Sequence, residues 1–370
     1  MKDYRLLENR IEGFIRTYHW RVETGDLSYP HASKVAAEVL DLDEDGKIWF
    51  AFLFGHCYSI PMAMIYIKEF PRVEDLDIEK AQEWTNANFR KLIYGDDCKW
   101  QKGKFPTVVK GIQSWVGQGT LRSKVESLVD QNALGYVNFK RLYKEVLGLP
   151  QYGRMTTWLT LEVLFDVSKL KINHCDLLME NGNTWSPYNG LCALYGLENL
   201  KRTKEFSPSK NDISVMNENL YSLLQLMESS LPYSEVSIYA VETHLCQYKK
   251  WTERSRGDYD GESSAKLNEL YFEFEKKWPE KDLLPYLMVV MSVAPTIRGL
   301  KYNSKFSDIF PERGLFLNTS DMFPDMPDVY RELGIKKDEW IIQQLFDKFG
   351  AKNLNFVEKN YSPKKYLSYK

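Results

Sequence analysis

The chain has 370 residues, 49 Lys and Arg against 51 Asp and Glu, and 44% hydrophobic residues, with aromatics making up 14%. That profile excludes a chain whose dominant state is disorder, because ample apolar surface is available to offset the entropy of ordering. The length accommodates two domains or one two-lobed unit, and the net charge of −2 conceals a strong unevenness along the sequence.

The opening MKDYRLLENR is amphipathic and meets acidic residues at once, so no signal peptide is expected. Between Glu23 and Asp45 seven acidic residues face one basic residue, Lys34. Within this stretch Asp41, Asp43, Asp45 and Gly46 reproduce the first half of a calcium loop. Phe52 stands where such a loop needs a bidentate Glu, so the segment reads as an acidic turn ahead of a core helix, with no metal site. From Ile48 to Ile67 no charge occurs for 20 residues, enough to span a bilayer. Gly55, His56, Ser59 and Pro61 interrupt that run and favour a buried, bent core helix with no membrane partner.

Further along, Ile78, Ala81, Trp84, Asn88 and Leu92 recur at helical spacing, which puts Asn88 on an apolar face. The segment from Phe89 to Lys124 carries eight basic and two acidic residues, Arg90, Lys99 and Arg122 among the former, interleaved with aromatics. Such a stretch either binds a phosphate backbone or forms a plain solvated face. Thr107 to Leu128 reads as helix, Gly117-Gln118-Gly119 turn, helix, which is either a hairpin whose backbone amides hold a phosphate or an ordinary turn between helices. The dinucleotide fingerprint is excluded because Arg122 replaces its third glycine.

A hinge is expected around Gly148 to Gly153, followed by helical stripes at Met155–Glu162, Ile213–Met227, from near Ser234 through Lys249, and Leu267–Trp278. The fold class is therefore mainly α and two-lobed. A helical core over 1–300 would have lobes at 1–147 and 148–300, and 301–370 would form an extension with a basic tail.

The five cysteines include no C-x-x-C pair, which points to a reducing compartment and no zinc ribbon. P-loop, lipase-elbow and zinc-protease motifs are absent. Polar groups in apolar surroundings are more informative. His56, Tyr58 and Ser59 lie in the most apolar run, as satisfied core groups or as a site lining. Asp176 and Glu180, with Asn189 nearby, would face one way on a helix, either as base and amine holder or as solvated acids. Glu242, Cys246 and Lys249 share one helical face, where Cys246 is either a nucleophile or a small buried thiol. Arg154, after Tyr152 and Gly153, is open to a phosphate clamp or a structural ion pair.

Three blocks, WFAFLFGHCYSIPMAMIYIKEFP (49–71), YGRMTTWLTLEVL (152–164) and VETHLCQYKKW (241–251), resemble the phage amino acid:DNA transferases, also called alpha-glutamyl/putrescinyl thymine pyrophosphorylases. The resemblance implies thymidine hypermodification: a 5-hydroxymethyluracil in double-stranded phage DNA, pyrophosphorylated by a separate DNA base kinase, exchanges its pyrophosphate for a free amino acid or amine. It also implies kinship with helix-hairpin-helix DNA glycosylases and a phage-encoded protein in the host cytoplasm.

On that reading the target base is flipped out, with Tyr58, Tyr152 or Trp158 stacking on it. Arg154, Lys249 and Lys250 would neutralise the leaving pyrophosphate. Asp176, Glu180, Glu242 or His56 would deprotonate the amine, and Cys246 would add transiently to the base. Asn88 and Asn189 join the substrate-binding set, and Arg90, Lys99, Gly117, Gly119 and Arg122 the DNA-binding set. No cofactor is required, though magnesium commonly accompanies pyrophosphate. Rival readings are a base-excising glycosylase, a DNA-binding or packaging protein without catalysis, and a helical small-molecule enzyme or interaction module.

Overall fold

The computed structural model describes residues 6–24, 33–34, 36–38, 40–168, 170–173, 176–180, 184–230, 236–254, 273–274 and 276–279. Ser234, Leu267, Leu270, Tyr271 and the 301–370 extension lie outside the described residues. Every regular element among the described residues is helical, as the periodicity predicts: α1 (Leu7–Thr24), α2 (Glu44–Cys57), α3 (Ile60–Glu69), α4 (Ile78–Asn88), α5 (Phe105–Val116), α6 (Leu121–Ser127), α7 (Gly135–Leu147), α8 (Arg154–Val167), α9 (Trp185–Tyr195), α10 (Lys210–Ser230) and α11 (Ile238–Arg254). Of the described residues, one compact unit holds α1 and 176–254, and the other holds 33–173 with 273–279. The Gly148–Gly153 stretch, expected as a hinge, joins α7 to α8 inside the latter unit.

The uncharged run from Ile48 to Ile67 forms two helices where the sequence suggests one bent helix. Asp43 caps α2 by accepting from the Gly46 amide at 2.8 Å, and Arg72 pairs with the same carboxylate. This is the acidic turn ahead of a core helix. Tyr58 closes α2 in the left-handed region at φ 48°, and Ser59 then caps α3 by accepting from Met62 N–H. Each helix is thus short, and no helix among the described residues is long and apolar enough to cross a membrane. Between Ile48 and Ile67 every residue but Tyr58 is buried. Each large apolar one contributes roughly 1.5–3 kcal/mol by leaving water.

Burial of α2 is completed by α8. A Cβ on Gly55 would lie 1.8 Å from Thr160 Oγ1 and 2.9 Å from the Thr156 carbonyl oxygen, so only glycine permits this approach. Tyr152 donates to the Phe52 carbonyl at 3.0 Å. Buried Asn138 ties the loop before α7 to the loop after α8, accepting from Asp130 N–H and donating to the carbonyls of Asp130 and Lys171. From the last described segment, Trp278 stacks on Trp84 and donates to the Lys91 carbonyl at 2.9 Å.

In the unit that contains α1, α9 and α11 meet at Gly190, where a Cβ would fall 2.5 Å from the Leu245 carbonyl oxygen. Met216, Leu220, Leu223 and Met227 form the buried stripe of α10 anticipated from their spacing. His244 of α11 is fully buried and bonds the Phe14 carbonyl of α1 through Nε2 at 2.9 Å. Tyr248 donates to the Arg10 carbonyl at 2.9 Å.

Candidate functional site

In the unit built around α2 and α8, His56 sits in the last turn of α2 with no exposed surface. Its Nδ1 lies 2.7 Å from Gln101 Oε1 and its Nε2 lies 2.7 Å from the Tyr94 hydroxyl. An amide oxygen only accepts, so Nδ1 carries the proton and Nε2 accepts from Tyr94. Tyr66 then donates to Tyr94 at 2.8 Å, and the Gln101 amide donates to Thr156 Oγ1 at 3.1 Å. Every member of this chain from Tyr66 to Thr156 is satisfied with His56 neutral. Burial is the main reason that the His56 pKa falls from 6.5 to about 4, with the Gln101 bond acting against it. Burial likewise pushes the Tyr66 and Tyr94 hydroxyls well above their ordinary range. His56 therefore ties the end of α2 to Gln101 and Tyr94 from a position with no exposed surface.

Tyr58 is half-buried, with its ring edge-on to Phe54. Gly95 lies so near that a Cβ would meet the Tyr58 carbonyl oxygen at 2.5 Å. Tyr152 and Trp158, expected to stack on a base, are 5% and 2% exposed and present no open face. Arg154 lies over the Trp158 ring with its guanidinium carbon 5.2 Å from the centroid. Asn88 spends its amide on the Trp84 carbonyl at 2.9 Å, finishing its own helix.

The expected hairpin is present. Helix α5 ends at Gly117, where φ is 67°, and Gly119 has φ 126°, values that favour glycine. Thr120 and Ser123 form a reciprocal capping box at the start of α6. Residues 117–120 are all exposed, and nothing lies within 4 Å of a Cβ built on Gly117. Arg122, expected to face DNA, is held by Glu126 at 2.7 Å and Asp45 at 3.7 Å. Arg90 and Lys99 are exposed on the short 3₁₀ turns Phe89–Lys91 and Asp96–Gln101.

Beside the hairpin a groove of about 600 Å³ runs between α5 and the end of α7. Lys110, Ser114 and Trp115 line it from α5, and Lys144 and Glu145 from α7. Trp115 donates to Glu145 at 3.1 Å, and Lys124 Nζ lies 5.4 Å from the indole centroid.

In the unit that contains α1, Asp176 and Glu180 do not share a helix face, because residues 176–180 are not helical. Asp176 instead accepts from the Leu178 amide at 2.7 Å, fixing a turn in which buried Leu178 has φ 50°. Glu180 is exposed in that turn. Asn189 grips the backbone of Arg202, accepting from its N–H at 2.8 Å and donating to its carbonyl at 3.0 Å. Arg202 is buried, lies over the Tyr188 ring at 4.9 Å and donates to the Met179 carbonyl. Its neighbours Lys201, Thr203 and Lys204 read as a solvated loop, so nothing in the sequence singles it out.

Helix α11 does bring Glu242, Cys246 and Lys249 onto one face. Glu242 is buried, Cys246 and Lys249 are half-buried, and Lys249 donates to Ser186 Oγ at 3.1 Å. The Lys250 side chain lies outside the described residues. Cys57, Cys98 and Cys192 are buried free thiols, and burial pushes the latter two up to about 12. Among the described residues no group of three or more His, Cys, Asp or Glu side chains is placed to hold a metal ion.

The described residues thus make up a mainly helical protein with an exposed Gly-x-Gly hairpin, a lysine-lined groove beside it and buried polar networks. The chain belongs to the amino acid:DNA transferase family, whose model matches residues 23–258. It is also 27% identical over 172 residues to a serinyltransferase of Salmonella phage ViI, a stretch that covers 44% of this chain and 41% of that protein. The match thus spans less than half of the relative's length. No solved structure matches the chain.

Proposed function

We propose that this protein transfers an amino acid or amine to DNA, replacing the pyrophosphate of 5-(pyrophosphoryloxymethyl)uracil. The observation that carries this reading is the family match over residues 23–258, and the phage serinyltransferase supports it from a separate comparison. In the reaction the bond between the exocyclic carbon and the pyrophosphate oxygen breaks, and pyrophosphate leaves with the electron pair. The donor's nitrogen, or a hydroxyl oxygen, bonds to the same carbon and loses a proton to a base. Glu242 is assigned as that base, since an ammonium cannot attack while protonated. Lys249, on the same face of α11, offsets the charge that develops on the pyrophosphate. Any magnesium would arrive with the pyrophosphate. The DNA substrate is the phage duplex after a base kinase has acted on it, and the setting is the host cytoplasm.

The test is mass spectrometry of nucleosides from DNA containing pyrophosphorylated 5-hydroxymethyluracil, incubated with the protein and a pool of amino acids and polyamines. A thymidine adduct heavier by one donor supports the reading and names the donor. Unchanged pyrophosphorylated base, with folded protein and a complete donor pool, overturns it. An abasic site would favour the glycosylase reading.

A further inference from the structure

We infer that the groove between α5 and α7 is a seat for the DNA sugar-phosphate backbone, with Lys110 and Lys144 gripping its phosphates. The inference rests on the reading that DNA is the substrate, and it gives the phosphate contacts to Lys110 and Lys144 in place of Arg122, which Glu126 and Asp45 hold.

The groove has a built shape. A Cβ on Gly111 would lie 2.5 Å from Pro150 Cδ, so glycine there lets the turn after α7 close onto α5. Lys110 and Ser114 stand one turn apart on the exposed face of α5, and Lys144 faces them from α7. The Trp115 to Glu145 bond ties the two helices together across the floor.

Charge favours an anion. Lys110 and Lys144 are exposed and make no ion pair among the described residues, whereas Arg122, Lys47 and Arg72 are each held by carboxylates. Lys124, over the Trp115 ring, adds a third cation at the groove's edge. Against these stand Glu145, already engaged by the indole, and the partial negative charge of the α7 C-terminus, about half a unit. Three full positive charges outweigh them.

The neighbouring hairpin favours a polymer over a small anion. Helix α5 runs directly from Lys110 into the exposed Gly117 to Thr120 turn, so groove and turn form one continuous surface along the helix. From Lys110 to Gly117 is seven residues at about 1.5 Å each, or roughly 10 Å, which spans more than one phosphate of a strand.

The full-length protein and a fluorescent unmodified duplex test this by anisotropy over a salt series. Lys110→Ala/Lys144→Ala is expected to flatten the plot of log affinity against log salt by about two units, near one for each phosphate that a lysine neutralises. The control Lys80→Ala/Lys171→Ala, which removes the same charge elsewhere on the same unit, should keep the wild-type slope, and Lys110→Arg/Lys144→Arg should restore it. The inference is overturned if the groove variant keeps the wild-type slope, if the control flattens it as much, or if the wild-type protein fails to bind the duplex at low salt. Wild-type protein that binds through the groove but yields no adduct overturns the transferase reading alone.

Discussion

Tyr94 donates its hydroxyl proton to His56 Nε2 at 2.7 Å in a part of the core that leaves His56 no exposed surface, and burial there keeps the imidazole neutral. The opposite ring nitrogen donates to Gln101 at 2.7 Å, so a second proton on the ring must displace the one that Tyr94 donates.

The pH dependence follows. The folded-state pKa of His56 is about 4 against 6.5 for a free imidazole, so between those values the unfolded chain binds the extra proton. Stability from this group is fully present above pH 6.5 and is lost as pH falls toward 4, about 3 kcal/mol in all. Denaturant titrations at pH 7 and pH 4.5 should show that loss in the wild-type protein and a smaller one in His56→Gln. Equal losses would remove His56 as the cause.

At pH 7 the same His56→Gln variant should itself be less stable by about 2–3 kcal/mol, because it leaves Tyr94 or Gln101 buried with an unmet hydrogen bond. Chemical denaturation measures this, with Tyr94→Phe as the partner variant. Coupling between the two in a double-mutant cycle checks that they act through one bond.

Glycine is obligatory at two helix crossings. Gly55→Ala would drive a methyl into Thr160 and the Thr156 carbonyl, and Gly190→Ala would drive one into the Leu245 carbonyl. Each should cost about 1–3 kcal/mol or more, seen as a lower midpoint of thermal unfolding. Gly117→Ala meets no atom within 4 Å but sits at positive φ, so its cost should be about 1 kcal/mol, backbone strain alone.

Helix α2 depends on its cap. Asp43→Ala removes the acceptor for Gly46 N–H and the partner of Arg72, with an expected loss of about 1–2 kcal/mol. Asp43→Asn retains the cap acceptor and should recover most of it. Burial raises the Asp43 pKa, but the Gly46 amide and Arg72 together hold it below the ordinary carboxylate value. The cap's charged contribution is therefore present above about pH 4 and lost below it.

For the transfer itself, Glu242→Gln should reduce adduct formation at least 100-fold at neutral pH if the carboxylate accepts the amine proton. Cys246→Ser separates two routes in the same assay: activity near wild type places the thiol outside the chemistry, and a comparable loss places it on the base.

Much of the fold is legible in the sequence. The helical class, the stripe of α10, the hairpin at Gly117 and Gly119, and the acidic turn ahead of α2 all rest on local periodicity or on glycine and cap chemistry, which a short window contains. The family, too, is readable from three blocks of sequence. The Ile48–Ile67 run reads as buried and bent near Ser59 and Pro61, but its full division into two helices does not show, because the left-handed backbone of Tyr58 leaves no mark on composition.

What only the tertiary structure decides is which polar groups meet. Tyr66, Tyr94, His56, Gln101 and Thr156 are scattered between positions 56 and 156 and form one bonded line only after α2, α3 and α8 pack. The pairing of Arg122 with Asp45, and the opposition of Lys110 and Lys144 across a groove, depend in the same way on residues distant in sequence. Local patterns encode the direction of a side chain relative to its own helix, whereas a site requires the relative placement of several helices. That placement is set by the summed packing of the core. Spacing alone therefore yields the helical architecture, but it cannot tell a cation engaged by carboxylates, such as Arg122, from one left open to a phosphate.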